Sequence, residues 1–136
     1  MSFFEWDASY SVGVATIDTQ HRKLVELINT LFEAMRDKKT ARIIGDLVRQ
    51  LADYTIYHFK EEERLMEKAS FSGLLLHKKE HARFIAKVRE LEQKIDRGQA
   101  NLIGFDLANF LKSWLKDHIT GTDRNYGPVM RAAGIA

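Results

Sequence analysis

The sequence contains no cysteine and only one proline, Pro128, among its 136 residues. Without cysteine the chain cannot form disulfides, thiolate zinc sites, cysteine-ligated iron–sulfur clusters or thiol nucleophiles. Any bound metal must therefore be held by nitrogen and oxygen, and the strong ligands present are five histidines together with aspartate and glutamate. Because the 127 residues before Pro128 lack a proline, the composition also favours long helices.

The sequence also has little excess charge of either sign and no long apolar run. The 21 Lys and Arg residues nearly balance the 19 Asp and Glu residues, which leaves a formal charge of +2 and no basic block. We therefore expect no nucleic-acid partner. No stretch approaches the roughly 18 apolar residues of a membrane span, and the N-terminus lacks the pattern of a secretory signal. These observations predict a soluble, cytoplasmic protein of one domain.

Hydrophobic periodicity predicts an all-α fold of four amphipathic helices. The expected helices span about 19–37, 41–67, 73–97 and 101–120, with an extended N-terminal arm over 1–17 and a short C-terminal helix at about 124–132. Asp18 or Thr19 is the expected N-cap of the first helix. Because the connections are short, consecutive helices should run antiparallel, and the single domain 1–136 should form an up-down-up-down four-helix bundle.

The third helix has the most regular apolar stripe. Its inward positions alternate steps of three and four residues, through Leu74, His77, His81, Phe84, Val88, Leu91 and Ile95. Leu75 and Leu76 do not fit this stripe. We expect them to pack against the arm or the preceding loop, and the alternative is that they alter gas access or form a docking patch.

All five histidines lie on the inward stripe of a predicted helix, and each of the four helices contributes at least one. An isolated histidine on an apolar face is usually a core residue with a satisfied hydrogen bond, but five in one small bundle are costly without partners. Two pairs stand at i,i+4 spacing, His58 with Glu62 and His77 with His81, so each pair projects from one helix face. A buried Glu62 carboxylate without a cation would also be costly.

His118 and Asp123 are five residues apart, which is about 140° around an ideal α-helix. Gly121 between them suggests that the helix ends or carries a π-type bulge, so that Asp123 turns back toward His118. The alternative is that Asp123 is a solvated N-cap of the last short helix.

The candidate metal ligands are thus five imidazoles and two carboxylates, namely His21, His58, Glu62, His77, His81, His118 and Asp123. This set is too large for one tetrahedral or octahedral ion, and two metals sharing bridging carboxylates fit the count. Nitrogen-rich coordination without thiolate suits iron, zinc, manganese or copper, so the ligand types leave the choice of metal open.

Three segments resemble the ligand motifs of the hemerythrin family, most closely its bacterial single-domain members. These segments are His-Phe-Lys-Glu-Glu-Glu at 58–63, His-Lys-Lys-Glu-His at 77–81 and Trp-Leu-Lys-Asp-His-Ile-Thr-Gly-Thr-Asp at 114–123. The resemblance covers essentially the whole chain. One departure is that Phe71-Ser72 stands where the family often has Tyr-Pro before the third ligand motif.

The resemblance implies reversible O2 binding at a non-haem centre of two iron ions joined by a bridging oxo or hydroxo group. It assigns His77, His81 and His118 to one iron, His21 and His58 to the other, and Glu62 and Asp123 to both. O2 would bind end-on as hydroperoxide at the iron with the open position. The candidate pocket residues around this O2 are Phe59, Trp114, Leu115 and Ile119, although ordinary core packing explains them equally well.

The same resemblance predicts a carrier, storage or delivery protein rather than an enzyme. We expect a monomer, with an O2-consuming enzyme or a redox partner as the candidate protein partners. Sensing of O2, redox state or iron, and di-iron oxidase or detoxification activity, share the same ligands and remain alternatives. A more remote alternative is a zinc peptidase, because His77-x-x-Glu80-His81 also matches the H-x-x-E-H motif.

Overall fold

The computed structural model describes residues 3–98 and 100–136, and for residues 100–106 it describes the backbone alone. Met1 and Ser2, which belong to the predicted arm, lie outside the described residues. The α-helices are α1 (Ala15–Arg36), α2 (Ala41–Lys68), α3 (Leu74–Asp96), α4 (Ala100–Asp117) and α5 (Gly127–Ala132). A π-helical turn, His118–Thr122, and a 3₁₀ turn, Asp123–Tyr126, join α4 to α5, and another 3₁₀ turn spans Ala8–Tyr10.

Helices α1 to α4 form the predicted antiparallel bundle. Helix α1 packs against α2 and α4, and α3 packs against the same two neighbours. Short connections turn each helix back on the one before it, and the Thr40 hydroxyl caps α2 by accepting a hydrogen bond from the Ile43 amide at 3.3 Å. Within the described residues there is no β-strand, and no helix combines the length and the apolar character that crossing a membrane requires.

Helix α1 begins at Ala15, earlier than the predicted start at about residue 19, and neither Asp18 nor Thr19 is its N-cap. The Asp18 carboxylate accepts hydrogen bonds from the Ser11 hydroxyl at 2.5 Å and from the Val12 amide at 2.9 Å. An acidic side chain in the first turn suits the positive end of the helix dipole. Asp18 therefore accepts hydrogen bonds from the N-terminal arm instead of capping the helix, and α1 begins about one turn earlier than predicted.

The N-terminal arm is held to the bundle by aromatic packing and by a pair of hydrogen bonds. Phe4 is buried and meets the Tyr10 ring edge-on, while the Arg22 guanidinium lies over the Trp6 ring. The Asn29 side chain accepts from the Phe4 amide and donates to the Phe4 carbonyl, both at 2.8 Å. The arm thus pairs its backbone with a side chain of α1 as it passes that helix.

The inward faces of the helices are the faces that the periodicity predicts. On α3 the buried residues are His77, His81, Phe84, Val88, Leu91 and Ile95. Leu75 and Leu76 are 68% and 70% exposed, so the expectation that they pack against the arm or the preceding loop was wrong. With Leu74 and His77 turned toward the core, the helical period carries the two intervening leucines to the outer face.

We predict that Asn29→Ala lowers the free energy of unfolding by about 1–3 kcal/mol, because it leaves two backbone groups of Phe4 without partners. Urea unfolding measures this loss. The matched control is Thr30→Ala, which removes a hydroxyl bonded only to the Glu26 carbonyl of its own helix. Equal stability of the two variants would contradict the assigned role of Asn29.

Candidate metal centre

The structure brings all seven predicted ligands together inside one end of the bundle. Helix α1 supplies His21, α2 supplies His58 and Glu62, and α3 supplies His77 and His81, while the turns after α4 supply His118 and Asp123. None of the seven is more than 5% exposed. Their side-chain atoms form two groups, each with its candidate ligand atoms within 4.8 Å of one another: Glu62, His77, His81, His118 and Asp123 in one, and His21, His58 and Glu62 in the other.

The π-helical turn explains how Asp123 reaches the cluster. In an α-helix Asp123 would point far from His118, but a π-helix pairs residues five apart and brings them to one side. The His118 Nε2 atom lies 2.9 Å from Asp123 Oδ1, and Asp123 is fully buried. Asp123 is therefore part of the cluster, and its interpretation as a solvated N-cap was wrong.

Glu62 faces both groups with different oxygens. Its Oε1 atom lies 2.8 Å from His77 Nε2 and 3.1 Å from His81 Nε2. Its Oε2 atom lies 2.9 Å from His58 Nε2 and 3.5 Å from His21 Nε2. One carboxylate thus stands between the three-histidine group (His77, His81 and His118) and the two-histidine group (His21 and His58).

Asp123 divides its oxygens in the same way. Its Oδ1 atom lies 2.8 Å from His77 Nε2 and 2.9 Å from His118 Nε2, both in the three-histidine group. Its Oδ2 atom lies 3.1 Å from His21 Nε2, in the two-histidine group. Both carboxylates can therefore share a pair of cations, with one oxygen on each.

The outer ring nitrogens of three histidines lie close to side-chain oxygens. His81 Nδ1 lies 2.8 Å from a Glu63 carboxylate oxygen, His118 Nδ1 lies 3.0 Å from a Glu80 carboxylate oxygen, and His58 Nδ1 lies 2.6 Å from the Gln20 amide oxygen. The Gln20 and Glu63 oxygens accept hydrogen bonds, so the Nδ1 atoms of His58 and His81 donate and their Nε2 atoms face inward. The Glu80 carboxylate lies close behind the His118 ring without a hydrogen bond. Histidines that bind metal are typically oriented by such outer partners.

Several inward atoms lack the hydrogen bonds that their burial demands. The Nε2 atoms of His81 and His118 lie 3.1 Å apart, and because the His81 ring donates through Nδ1, its Nε2 atom is the acceptor of this pair. Among the described residues no hydrogen-bond partner meets His21 Nε2, Glu62 Oε2 or either oxygen of Asp123, because their short contacts lack hydrogen-bond angles. Orphaned carboxylate oxygens among convergent imidazole nitrogens fit cations, which would satisfy all of these atoms at once.

The two carboxylates also shift the protonation of the cluster. Burial opposes a charge on His21 and His77, but close contacts with the charged carboxylates of Asp123 and Glu62 raise the pKa of His21 to about 9 and that of His77 to about 10. The pKa of His58 is lowered, mainly by burial. Despite burial, the surrounding histidines hold the pKa of Glu62 and of Asp123 below the usual carboxyl range.

Aromatic rings cover the three-histidine group on its bundle side. Phe59 stacks on His81 with ring centroids 3.7 Å apart, and Trp114 stacks on His118 at 4.4 Å. Together with Leu115 they line a small apolar cavity between the helices. Ile119 is fully buried in the π-helical turn, but it is not a lining residue of this cavity.

Three residues near the cluster were not identified from the sequence as contributors. Gln20 and Glu63 are the outer partners of His58 and His81, and each directly neighbours a predicted ligand in the sequence. Tyr126 is fully buried with its ring 5.6 Å from His77. Burial, with the charges of Asp123 and Glu62, raises the pKa of Tyr126 well above its usual value. The sequence indicates Gln20 and Glu63 only through their position next to a residue that is predicted to face inward.

Glu80 bears on the zinc-peptidase alternative. In that alternative the glutamate between the two histidines activates a water at the metal, so its carboxylate must face the inner nitrogens. Glu80 instead contacts the outer nitrogen of His118, and its side chain is 44% exposed. This position favours an orienting role and disfavours peptidase chemistry.

Comparison with known proteins agrees with this cluster. Residues 12–130 match the family described as Hemerythrin HHE cation binding domain. The chain is 36% identical to a bacteriohemerythrin of Pseudomonas paraeruginosa over 131 residues, which cover 96% of this chain and 84% of that protein. It is 30% identical to a bacteriohemerythrin of Methylococcus capsulatus over 133 residues, covering 97% of this chain and all of the other.

A eukaryotic relative and a solved structure extend the comparison. A hemerythrin-like protein of Naegleria gruberi is 35% identical over 127 residues, covering 93% of each chain. The crystal structure of a wild-type hemerythrin superposes with a TM-score of 0.89 at 29% identity, covering 95% of this chain and 98% of the other. Because the family match and the relatives each span most of the sequence, the chain belongs to the hemerythrin family.

Proposed function

We propose that this protein binds O2 reversibly at a non-haem di-iron centre and serves as an O2 carrier or store. The observation that carries the proposal is the division of two buried carboxylates between two groups of histidines. Each carboxylate has one oxygen near the three-histidine group and the other near His21 of the two-histidine group. A site for a single ion would leave part of this set without a role.

In this proposal His77, His81 and His118 would hold one iron, His21 and His58 would hold the other, and Glu62 and Asp123 would contribute to both. When bound, the iron pair supplies reversible O2 binding with exchange of two electrons. Since the two-histidine side offers one imidazole fewer, we assign O2 binding to that side. The family membership supports iron over the other metals that such ligands accept.

The residues on the bundle side of the cluster support binding without turnover of a second substrate. Phe59, Trp114 and Leu115 line an apolar cavity that limits access of water and protons to the bundle side of the cluster. Thr55 also lines this cavity, but its hydroxyl donates to the Leu51 carbonyl of its own helix at 2.7 Å. An oxidase would need proton donors and substrate space beside the site, and this cavity offers neither.

We predict that anaerobic loading with Fe(II) gives two iron ions per chain. Admission of air should then produce a visible absorption band that fades when the solution is purged. The measurements are metal content and the visible spectrum over repeated cycles. Irreversible oxidation with release of peroxide would favour the oxidase alternative, and tight binding of one zinc without iron would favour the peptidase.

We predict that Glu62→Ala lowers the metal content from two ions per chain to one or none, because it removes an oxygen from each group. The control is Glu61→Ala, since Glu61 is the preceding acid of the same helix and pairs with Arg64 at the surface. Metal analysis after equilibrium dialysis measures the stoichiometry, and circular dichroism checks that both variants fold. Two ions retained by a folded Glu62→Ala variant would place Glu62 outside the ligand set.

The raised histidine pKa values predict how the stability of metal-free protein depends on pH. Protonated His21 and His77 stabilise the fold through Glu62 and Asp123, and this stabilisation is complete below the unfolded pKa of about 6.5. It should disappear as the pH rises through about 9 to 10, where both rings lose their protons. Thermal unfolding between pH 7 and pH 10 measures the loss.

Metal-loaded protein is the control for this experiment. A ligated imidazole carries no proton on its metal-binding nitrogen, so loading removes the titration. We expect a shallower decline of melting temperature with pH for the loaded protein than for the metal-free protein. Parallel curves for the two forms would contradict the coupling of these histidines to the carboxylates.

A further inference from the structure

The outer partners of the histidines differ in charge between the two groups. In the three-histidine group, His81 Nδ1 donates to the Glu63 carboxylate at 2.8 Å, and His118 Nδ1 lies 3.0 Å from a carboxylate oxygen of Glu80. In the two-histidine group, His58 donates to the neutral amide of Gln20 at 2.6 Å. Two anions therefore support one group from outside, and a neutral dipole supports the other.

This difference matters because a hydrogen bond to an anion strengthens the imidazole as a ligand. A carboxylate that accepts the Nδ1 proton draws it away from the ring and leaves more electron density on the opposite nitrogen. An amide oxygen orients the ring equally well but carries no net charge. The three-histidine group thus has more protein ligands and also more strongly polarised ones.

We propose that Glu63 and Glu80 are positioning residues that make the three-histidine group the tighter metal site, which fills first. The proposal rests on the proposed function, because it assumes that both groups bind metal. Neither carboxylate touches the metal position. They act through His81 and His118 by fixing the inward nitrogen and by adding negative charge behind it.

The exposure of the two carboxylates predicts the order of their effects. The Glu63 side chain is 24% exposed, whereas that of Glu80 is 44% exposed. Water screens the charge of a more exposed carboxylate more strongly, so Glu63 should influence its histidine more than Glu80 does. Both contacts also connect neighbouring elements. Glu63 on α2 contacts His81 on α3, and Glu80 on α3 contacts His118 in the π-helical turn.

Stepwise titration with Co(II) as the probe metal tests the proposal, with optical absorption reporting each binding step. The variants Glu63→Gln and Glu80→Gln retain a side-chain oxygen and remove only the charge. We expect Glu63→Gln to weaken the first binding step by about 10-fold, Glu80→Gln to weaken it less, and neither to change the second step comparably.

The proton resonances of the imidazole N–H groups in Co(II)-loaded protein give a second readout. Glu63→Gln should move the resonance of His81, and Glu80→Gln should move that of His118. A carboxylate with only a structural role would be replaced by the isosteric glutamine without either change. Glu61→Gln and Glu90→Gln are the controls, since these acids lie on the same helices and pair with surface cations.

Gln20→Glu provides the reciprocal test. It places a carboxylate behind His58 and should tighten the second Co(II) step, which narrows the difference between the two affinities. Wild-type binding of fewer than two Co(II) ions would overturn the proposed function itself. Two-step binding by the wild type, with unchanged first-step affinity and unchanged resonances in the Glu63 and Glu80 variants, would overturn this inference alone.

Discussion

The structure depends on the burial of two carboxylates among five imidazoles. Glu62 and Asp123 are fully buried, and a charge in such a place is tolerated only with compensating partners. No single helix can supply those partners, because one turn offers at most two side chains on one face. Each helix must therefore deliver its own histidine to one end of the bundle, and this requirement sets the helix register and explains the unbroken inward stripes.

The π-helical turn is needed to bring Asp123 into the cluster, and it also sets the direction of the chain that follows. Without it Asp123 would leave the cluster, since five residues of α-helix rotate a side chain by about 140°. The turn redirects the chain toward the arm, where Gly127 approaches the Val12 carbonyl so closely that a Cβ would lie 2.4 Å from that oxygen. Arg131 of α5 then donates to the same carbonyl at 3.0 Å. The ligand cluster and the docking of both termini are thus linked through one irregular turn.

Sequence reasoning predicted the bundle and the cluster because both follow from helical periodicity. It could not place the start of α1, since whether Asp18 caps a helix or binds the arm depends on where the arm runs. It also missed Glu63, which stands one residue beyond the inward Glu62. That position points to solvent in an isolated helix, and only the approach of α3 gives its carboxylate a histidine to bind. The periodicity of a single sequence predicts which face of a helix is buried, but it does not predict which side chains of neighbouring helices will contact each other.

The inner and outer nitrogens of these imidazoles therefore have different roles in the site. The inner nitrogens and the shared carboxylates determine how many cations the cluster suits, and periodicity reveals them. The outer nitrogens meet Gln20, Glu63 and Glu80, which can differ in charge while the inner set stays the same. Because Phe59 and Trp114 shield the bundle side of the cluster, a change at these outer contacts would alter the charge around the metals without opening the apolar cavity. If the proposed roles of Glu63 and Glu80 hold, the number of metals and their affinity are set by different atoms of the same rings.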